Sequence, residues 1–164
     1  MKSIKKIFIV AILILICLVP KTAFASDTAD WKDIYLSDEE ISYILNISSD
    51  NETETYASGL IIRRSFSASK KGNSVTIIGN TYCTSDVVKC GFSKIVIKQR
   101  KNANSSWHNY KSYSDLYTNS NKYALSKSIE LPKGYQYQIV ATHYAKKNAF
   151  STQKIDSYSE ILSI

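Results

Sequence analysis

The chain is poor in the residues from which most enzymes build a site. Histidine occurs only at His108 and His143, and glycine at five of 164 positions. Glycines this sparse form no phosphate-cradling loop, which excludes the common nucleotide-binding motifs. No Gly-x-Ser-x-Gly elbow accompanies either histidine, so the sequence shows no serine-hydrolase motif of that kind. Acids are few in the long second part of the chain. From Ser58 onward there are Asp86, Asp115, Glu130, Asp156 and Glu160, and no two of them suggest the facing carboxylates of a glycosidase. Cysteine occurs three times, at Cys17, Cys83 and Cys90. Two later thiols with both histidines far off in sequence are too few for a metal site, and no cofactor is expected.

Long apolar runs are also lacking, with one exception at the start. Ile7 to Val19 is unbroken, follows Lys2, Lys5 and Lys6, and ends at Pro20 before Ala23-Phe24-Ala25. A positive front, a short apolar core and a small-x-small end make a secretory signal peptide over residues 1–25, with cleavage expected before Ser26. The run is shorter than the roughly 20 residues that cross a bilayer, so no membrane span is expected after cleavage. The sequence thus predicts a secreted, extracellular protein. Cys17 leaves with the signal, and an exported Cys83–Cys90 pair is expected as a disulfide staple.

The charge is unevenly placed. Lys2, Lys5, Lys6 and Lys21 carry four of the seven net positive charges and are removed with the signal. Residues 26–57 hold nine acids and one base, Lys32; residues 58–164 hold sixteen Lys or Arg and five acids. The sequence therefore divides into a signal (1–25), an acidic arm (26–57) and a basic domain (58–164). Within the arm, Ser37-Asp38-Glu39-Glu40 has capping-box spacing ahead of Ile41, Ile44 and Leu45, which predicts a short helix over Ser37 to Asn46. A polar linker follows.

After Ala57 the pattern changes to short alternating stretches rich in Tyr, Ile, Val and Thr. Strands are predicted at Leu60 to Ser67, Ser74 to Cys83, Phe92 to Arg100, Ser106 to Tyr113, Lys122 to Leu131, Tyr135 to Ala145, and Ser151 to Ile164 with a break near Tyr158. About seven strands at this spacing suggest an all-β antiparallel sandwich of the immunoglobulin or fibronectin type III kind. Leu131-Pro132-Lys133-Gly134-Tyr135-Gln136-Tyr137 strengthens that expectation. A proline-glycine turn leads into a strand whose third residue after Gly134 is Tyr137, the form of a tyrosine corner, and fibronectin type III modules carry a very similar run.

A broader resemblance covers most of residues 57–164. Ala57 to Ile61, Gly79 to Cys83, Lys94 to Gln99, Trp107, Lys133 to Tyr137 and Thr142 to Tyr144 resemble a family of small exported proteins of unknown function from Gram-positive, spore-forming bacteria. The resemblance implies export and a single β-rich domain, and it brings no activity. Arg63 and Arg64 stand where that family tends to have a proline, and Gln138 where it has arginine.

Binding is the chemistry the composition favours. Arg63, Arg64, Lys94, Lys98, Arg100 and Lys101 are candidates for holding an anion, and Lys94, Lys98 and Arg100 share one face of their strand. Trp107, Tyr110, Tyr113 and Tyr117 are candidates for stacking against a sugar ring or peptide. Outside a Gram-positive cell the abundant polyanions are cell-wall polymers, and nucleic acid is not an expected partner. The sequence-based expectation is a non-enzymatic protein that binds the cell wall, a glycan or another extracellular protein. Docking through the acidic arm, as an interaction or structural module, is the alternative; an unrecognised secreted hydrolase is the third.

Overall fold

Side chains that alternate in polarity with a period of two can bury one face only as strands. The structure is a computed structural model that describes residues 31–33 and 59–164. The expected signal peptide and the expected helix at Ser37 to Asn46 lie outside the described residues. The strands are β1 Lys32–Asp33, β2 Ile61–Lys71, β3 Ser74–Cys83, β4 Lys89–Arg100, β5 His108–Thr118, β6 Lys122–Glu130, β7 Gln136–Lys146, β8 Thr152–Tyr158 and β9 Leu162–Ser163. There is no helix among the described residues.

All pairings are antiparallel, and the strands form two sheets. One has the order β1-β6-β3-β2; the other runs β5-β4-β7-β8, with β9 also on β7. The β3–β4, β5–β6 and β6–β7 connections each pass from one sheet to the other, whereas β2–β3, β4–β5 and β7–β8 are hairpins. Each long strand overlaps a stretch that alternation predicts and β3 matches residue for residue, but β2 and β5 run on past Ser67 and Tyr113 to Lys71 and Thr118, and β4 begins earlier than expected, at Lys89.

The inner faces meet in one core of Val75, Ile77, Phe92, Ile95, Ile97, Leu125, Ile129, Tyr137 and Ile139, with Trp31, Tyr113 and others around them. Full burial of one such aliphatic or aromatic side chain contributes about 1.5–3 kcal/mol. Phe92 sits near the middle, with ring centroids 4.6 Å from His143, 5.9 Å from Tyr123 and 6.2 Å from Phe66. Gly79 makes this possible, because a Cβ there would lie 2.8 Å from Phe92 Cζ.

Two features close the ends of the core. Trp31 comes from the segment expected as an acidic arm, yet its ring is buried with its centroid 3.7 Å from that of Tyr113. β1 then pairs with β6, and Asp33 forms an ion pair with Lys127. At the β6–β7 turn, Tyr137 Oη donates to Pro132 O at 2.9 Å and accepts from Gln99 Nε2 at 2.9 Å. Gly134 N donates to Ile164 O at 2.6 Å, which ties the C-terminus to the same turn.

A Tyr137→Phe substitution keeps the ring but leaves the Pro132 carbonyl and the buried Gln99 amide without this partner. The expected cost is about 1–3 kcal/mol, read as a lower urea midpoint with an unchanged slope.

Candidate functional site

Three groupings of polar or reactive side chains stand out: a buried histidine network, a cysteine pair, and the outer face of the five-stranded sheet.

His143 alternates inward on β7 and is fully buried. Its Nδ1 lies 2.7 Å from Thr81 Oγ1, and its Nε2 lies 3.2 Å from Ser157 Oγ. Thr81 Oγ1 in turn donates to Gly91 O at 3.2 Å, and the Arg64 guanidinium donates to Ser157 Oγ. Each hydroxyl has a single proton, so one assignment satisfies every contact. Arg64 donates to Ser157, Ser157 to Nε2, Nδ1–H to Thr81, and Thr81 to Gly91. Burial, and then the nearby Arg64 charge, push the imidazole down to about 3 from its ordinary 6.5, so the ring is neutral. A hydroxyl on either side of a histidine superficially suggests nucleophilic catalysis, but this ring is sealed from solvent. His108, by contrast, is exposed at the start of β5.

Cys83 ends β3 and Cys90 lies near the start of β4, and both are buried beside Ile61, Val87 and Ala145. The expected disulfide is not formed in the structure: both cysteines are free thiols. Cys83 Sγ donates to Cys90 Sγ at 3.1 Å, and Cys90 Sγ donates to Thr81 O at 3.1 Å. The pair is therefore held by hydrogen bonds that the protons on both sulfurs make possible. The neighbouring sulfur and burial push the Cys90 thiol far up.

The outer face of the five-stranded sheet is set by register. Lys94 pairs with Thr142, Lys98 with Gln138 and Arg100 with Gln136, all at positions alternating with the buried Ile95, Ile97 and Gln99. Lys89 pairs with Lys146, and Tyr144 with Lys154. Asp156, facing Thr142, is the acid among these rows, and its Oδ1 accepts from Thr142 Oγ1 at 2.7 Å. Arg100 is anchored by Gln136 Oε1 at 2.9 Å and lies 4.4 Å above the Trp107 ring, while Lys101 lies 4.8 Å above the Tyr135 ring.

The residues predicted to bind an anion thus fall into three places. Lys94, Lys98, Arg100 and the adjoining Lys101 come together. Arg63 is on the other sheet, stacked on Tyr82 at 4.4 Å. Arg64 turns inward to Ser157, and its role is structural. The reason is the register shift between Ile61 and Arg63, which offsets which β2 residues face the core.

The aromatic set also separates. Tyr113 is buried and belongs to the core, so no ligand can stack on it. Tyr110 packs on Tyr137, with centroids 6.0 Å apart. Trp107 is half-buried beneath Arg100. Tyr117 reaches the outer face, where its ring centroid lies 5.6 Å from that of Tyr144. Tyr144 was not singled out from the sequence, although its alternation with buried His143 and Ala145 is a signal that could have placed it outside. The Tyr117 hydroxyl donates to Asp115 Oδ1 at 2.9 Å, and this bond holds the phenol above its ordinary pKa. No cluster of three or more metal-ligating side chains occurs among the described residues. No family model matches this chain, and neither the curated proteins nor the solved structures contain a match.

The neutral state of His143 has a consequence for stability. The unfolded histidine gains a proton below about pH 6.5, whereas the folded one resists until about pH 3. Its contribution is complete above pH 6.5 and is lost as pH falls through that window, at about 1.4 kcal/mol per pH unit. Urea unfolding from pH 7 to pH 4 measures this slope, and His143→Gln should flatten it.

Proposed function

We propose that the chain is an exported, non-enzymatic module that binds an anionic polymer of the cell envelope through the outer face of its five-stranded sheet. The observation that carries this reading is the set of cations on that face: Lys89, Lys94, Lys98, Arg100, Lys146 and Lys154, against the two acids Asp156 and Asp115. Neighbouring strands lie about 4.8 Å apart, well inside the screening length of about 8 Å at physiological salt. Lys89 and Lys146 face each other across one such spacing and act together. Lys94, Lys98 and Arg100 follow along β4, Lys94 and Lys98 about 13 Å apart, so a polymer extended along that strand meets them in turn. A flat sheet face also suits an extended polymer better than a compact substrate.

The sandwich assignment belongs to the same proposal. The order β1-β6-β3-β2 in one sheet and β5-β4-β7-β8 in the other, with the Tyr137 hydroxyl bonded back to Pro132, supports an immunoglobulin or fibronectin type III-like arrangement. The signal-like first 25 residues support export.

Retention on isolated Gram-positive cell walls, followed as salt is raised, tests the binding face. Retention should be strong at low ionic strength and fall steeply with added salt. Lys94→Glu with Lys98→Glu should remove most of it, whereas Lys71→Glu with Lys122→Glu, on the other sheet, should change it little. Equal loss from both pairs would leave only a general charge effect and would sink the assignment of this face.

Export also bears on the cysteines. Outside the cell, an oxidant such as molecular oxygen can take two electrons and two protons from Cys83 and Cys90, joining their sulfurs. Such a staple would add about 2.5 kcal/mol for a loop of this length. Protein recovered from culture medium should then be lighter by two hydrogens than the reduced chain, and Cys90→Ser should abolish that difference. A fully reduced pair in the medium would overturn this part of the reading.

A further inference from the structure

Tyr113 and Tyr117 are four residues apart and would share a face in a regular strand. They do not. Tyr113 pairs with Ile95 and points into the core, whereas Tyr117 pairs with Gly91 and points out. The change of face falls at Asp115, whose φ is +60°, a left-handed conformation that costs a non-glycine residue energy. The same Asp115 accepts the Tyr117 hydroxyl. A strained residue therefore both turns Tyr117 outward and fixes its ring.

Opposite it, Gly91 pairs with Tyr117 on one side and with Tyr144 on the other. The two tyrosines stand two strand spacings apart, roughly 9.6 Å, yet their ring centroids are only 5.6 Å apart. Both rings lean across the gap that Gly91 leaves. A Cβ on Gly91 would lie 2.4 Å from Leu116 O and 2.8 Å from Tyr117 Cβ, so no other residue leaves that gap. The result is a pair of neighbouring half-buried rings tilted 38° to one another on the outer face.

Cations lie over it and carboxylates stand at its edge, Asp115 at the Tyr117 hydroxyl and Asp156 in the next row. Lys89 Nζ is 4.5 Å from the Tyr117 centroid and Lys154 Nζ is 5.9 Å from that of Tyr144. Lys94 occupies the next outward row on β4. Aromatic rings with an ammonium group over each match one ligand chemistry in particular, a sugar ring that carries a negative charge, for which the rings offer apolar area once the lysines turn to its charged groups.

We propose that Tyr117 and Tyr144 over Gly91 form a platform for the pyranose rings of an anionic glycan, with Lys89, Lys94 and Lys154 taking its phosphate or carboxylate groups and Asp115 as the positioning residue. This rests on the anionic-polymer reading above and narrows it: the ligand has sugar rings as well as charge.

Titration of the full chain with three probes separates the two ideas. Hyaluronan oligosaccharides offer rings and carboxylates, long-chain polyphosphate offers charge alone, and dextran offers rings alone. Tyr117→Leu and Tyr144→Leu keep an apolar cover over Gly91 but remove the flat face. Each should weaken hyaluronan binding roughly tenfold and leave polyphosphate binding unchanged, while Lys94→Glu should weaken both. Tyr117→Phe should bind hyaluronan less tightly through lost orientation, but better than Tyr117→Leu. Asp115→Gly relieves the backbone and removes the acceptor, so it should lower hyaluronan affinity alone, and Asp115→Asn should restore it. If the leucine variants bind hyaluronan as the unaltered chain does, the platform is wrong and the anionic face stands. If the unaltered chain binds neither polyanion at low salt, both readings fail together.

Discussion

The pairing of β4 with β7 at the centre of the five-stranded sheet governs everything built on it. Its register sets Ile95 against Ala141 and Ile97 against Ile139 on the core side, and Lys94 against Thr142 and Lys98 against Gln138 on the other. Side chains alternate strictly, so a slip of one residue would bury the lysines and expose the isoleucines. Desolvating even one unpaired ammonium costs several kcal/mol, and each isoleucine exposed forfeits more. The apolar core therefore defines the cationic face as firmly as it defines itself. The tyrosine corner reinforces the same register from one end, because Gln99 of β4 and Pro132 both bond the hydroxyl of Tyr137 on β7.

Collective charge follows from that register rather than from composition. The net charge is modest once the leading lysines are set aside, but long-range fields follow the local layout of charge. Lys89 and Lys146 face each other within one screening length and Lys94, Lys98 and Arg100 continue the same face along β4, whereas Arg63 lies on the opposite sheet, about 10 Å away or more across the core. Lys147 is exposed near the same end but is already paired with Asp86 at 2.5 Å. Which cations act together is thus a matter of strand order, and the order places β4 between β5 and β7.

Much of this was legible in the sequence, and what escaped did so for identifiable reasons. Strand positions, the run from Pro132 to Tyr137, and the shared face of Lys94, Lys98 and Arg100 follow from a period of two and from turn chemistry. Irregularities are different, because the alternation rule carries no marker for where it breaks. The register shift after Ile61 sent Arg64 inward, and the kink at Asp115 put Tyr113 and Tyr117 on opposite faces. Gly91 carries no side chain that would advertise its role. Trp31 was hidden by its setting among acids, next to a two-residue strand, Lys32–Asp33, that pairs with β6 across a long stretch of sequence. The Cys83–Cys90 disulfide was expected from export and an even pair of cysteines, whereas the structure holds two neighbouring free thiols, because neither feature sets the oxidation state.

Gly91 joins the interior and the surface in a way that constrains both. Its carbonyl ends the hydrogen-bond chain that starts at Arg64 and passes through Ser157, His143 and Thr81. Its missing side chain is the space that the Tyr117 and Tyr144 rings cross. Any substituent there meets the backbone of β5 at Leu116 and Tyr117, so β5 must move away from β4. That movement would carry Tyr117 away from Tyr144. A buried histidine kept neutral below the sheet and an aromatic surface above it are therefore coupled through one backbone position. The left-handed backbone at Asp115 is held in place because the strand on either side of it pairs with β4, Ser114 with Lys94 and Leu116 with Phe92.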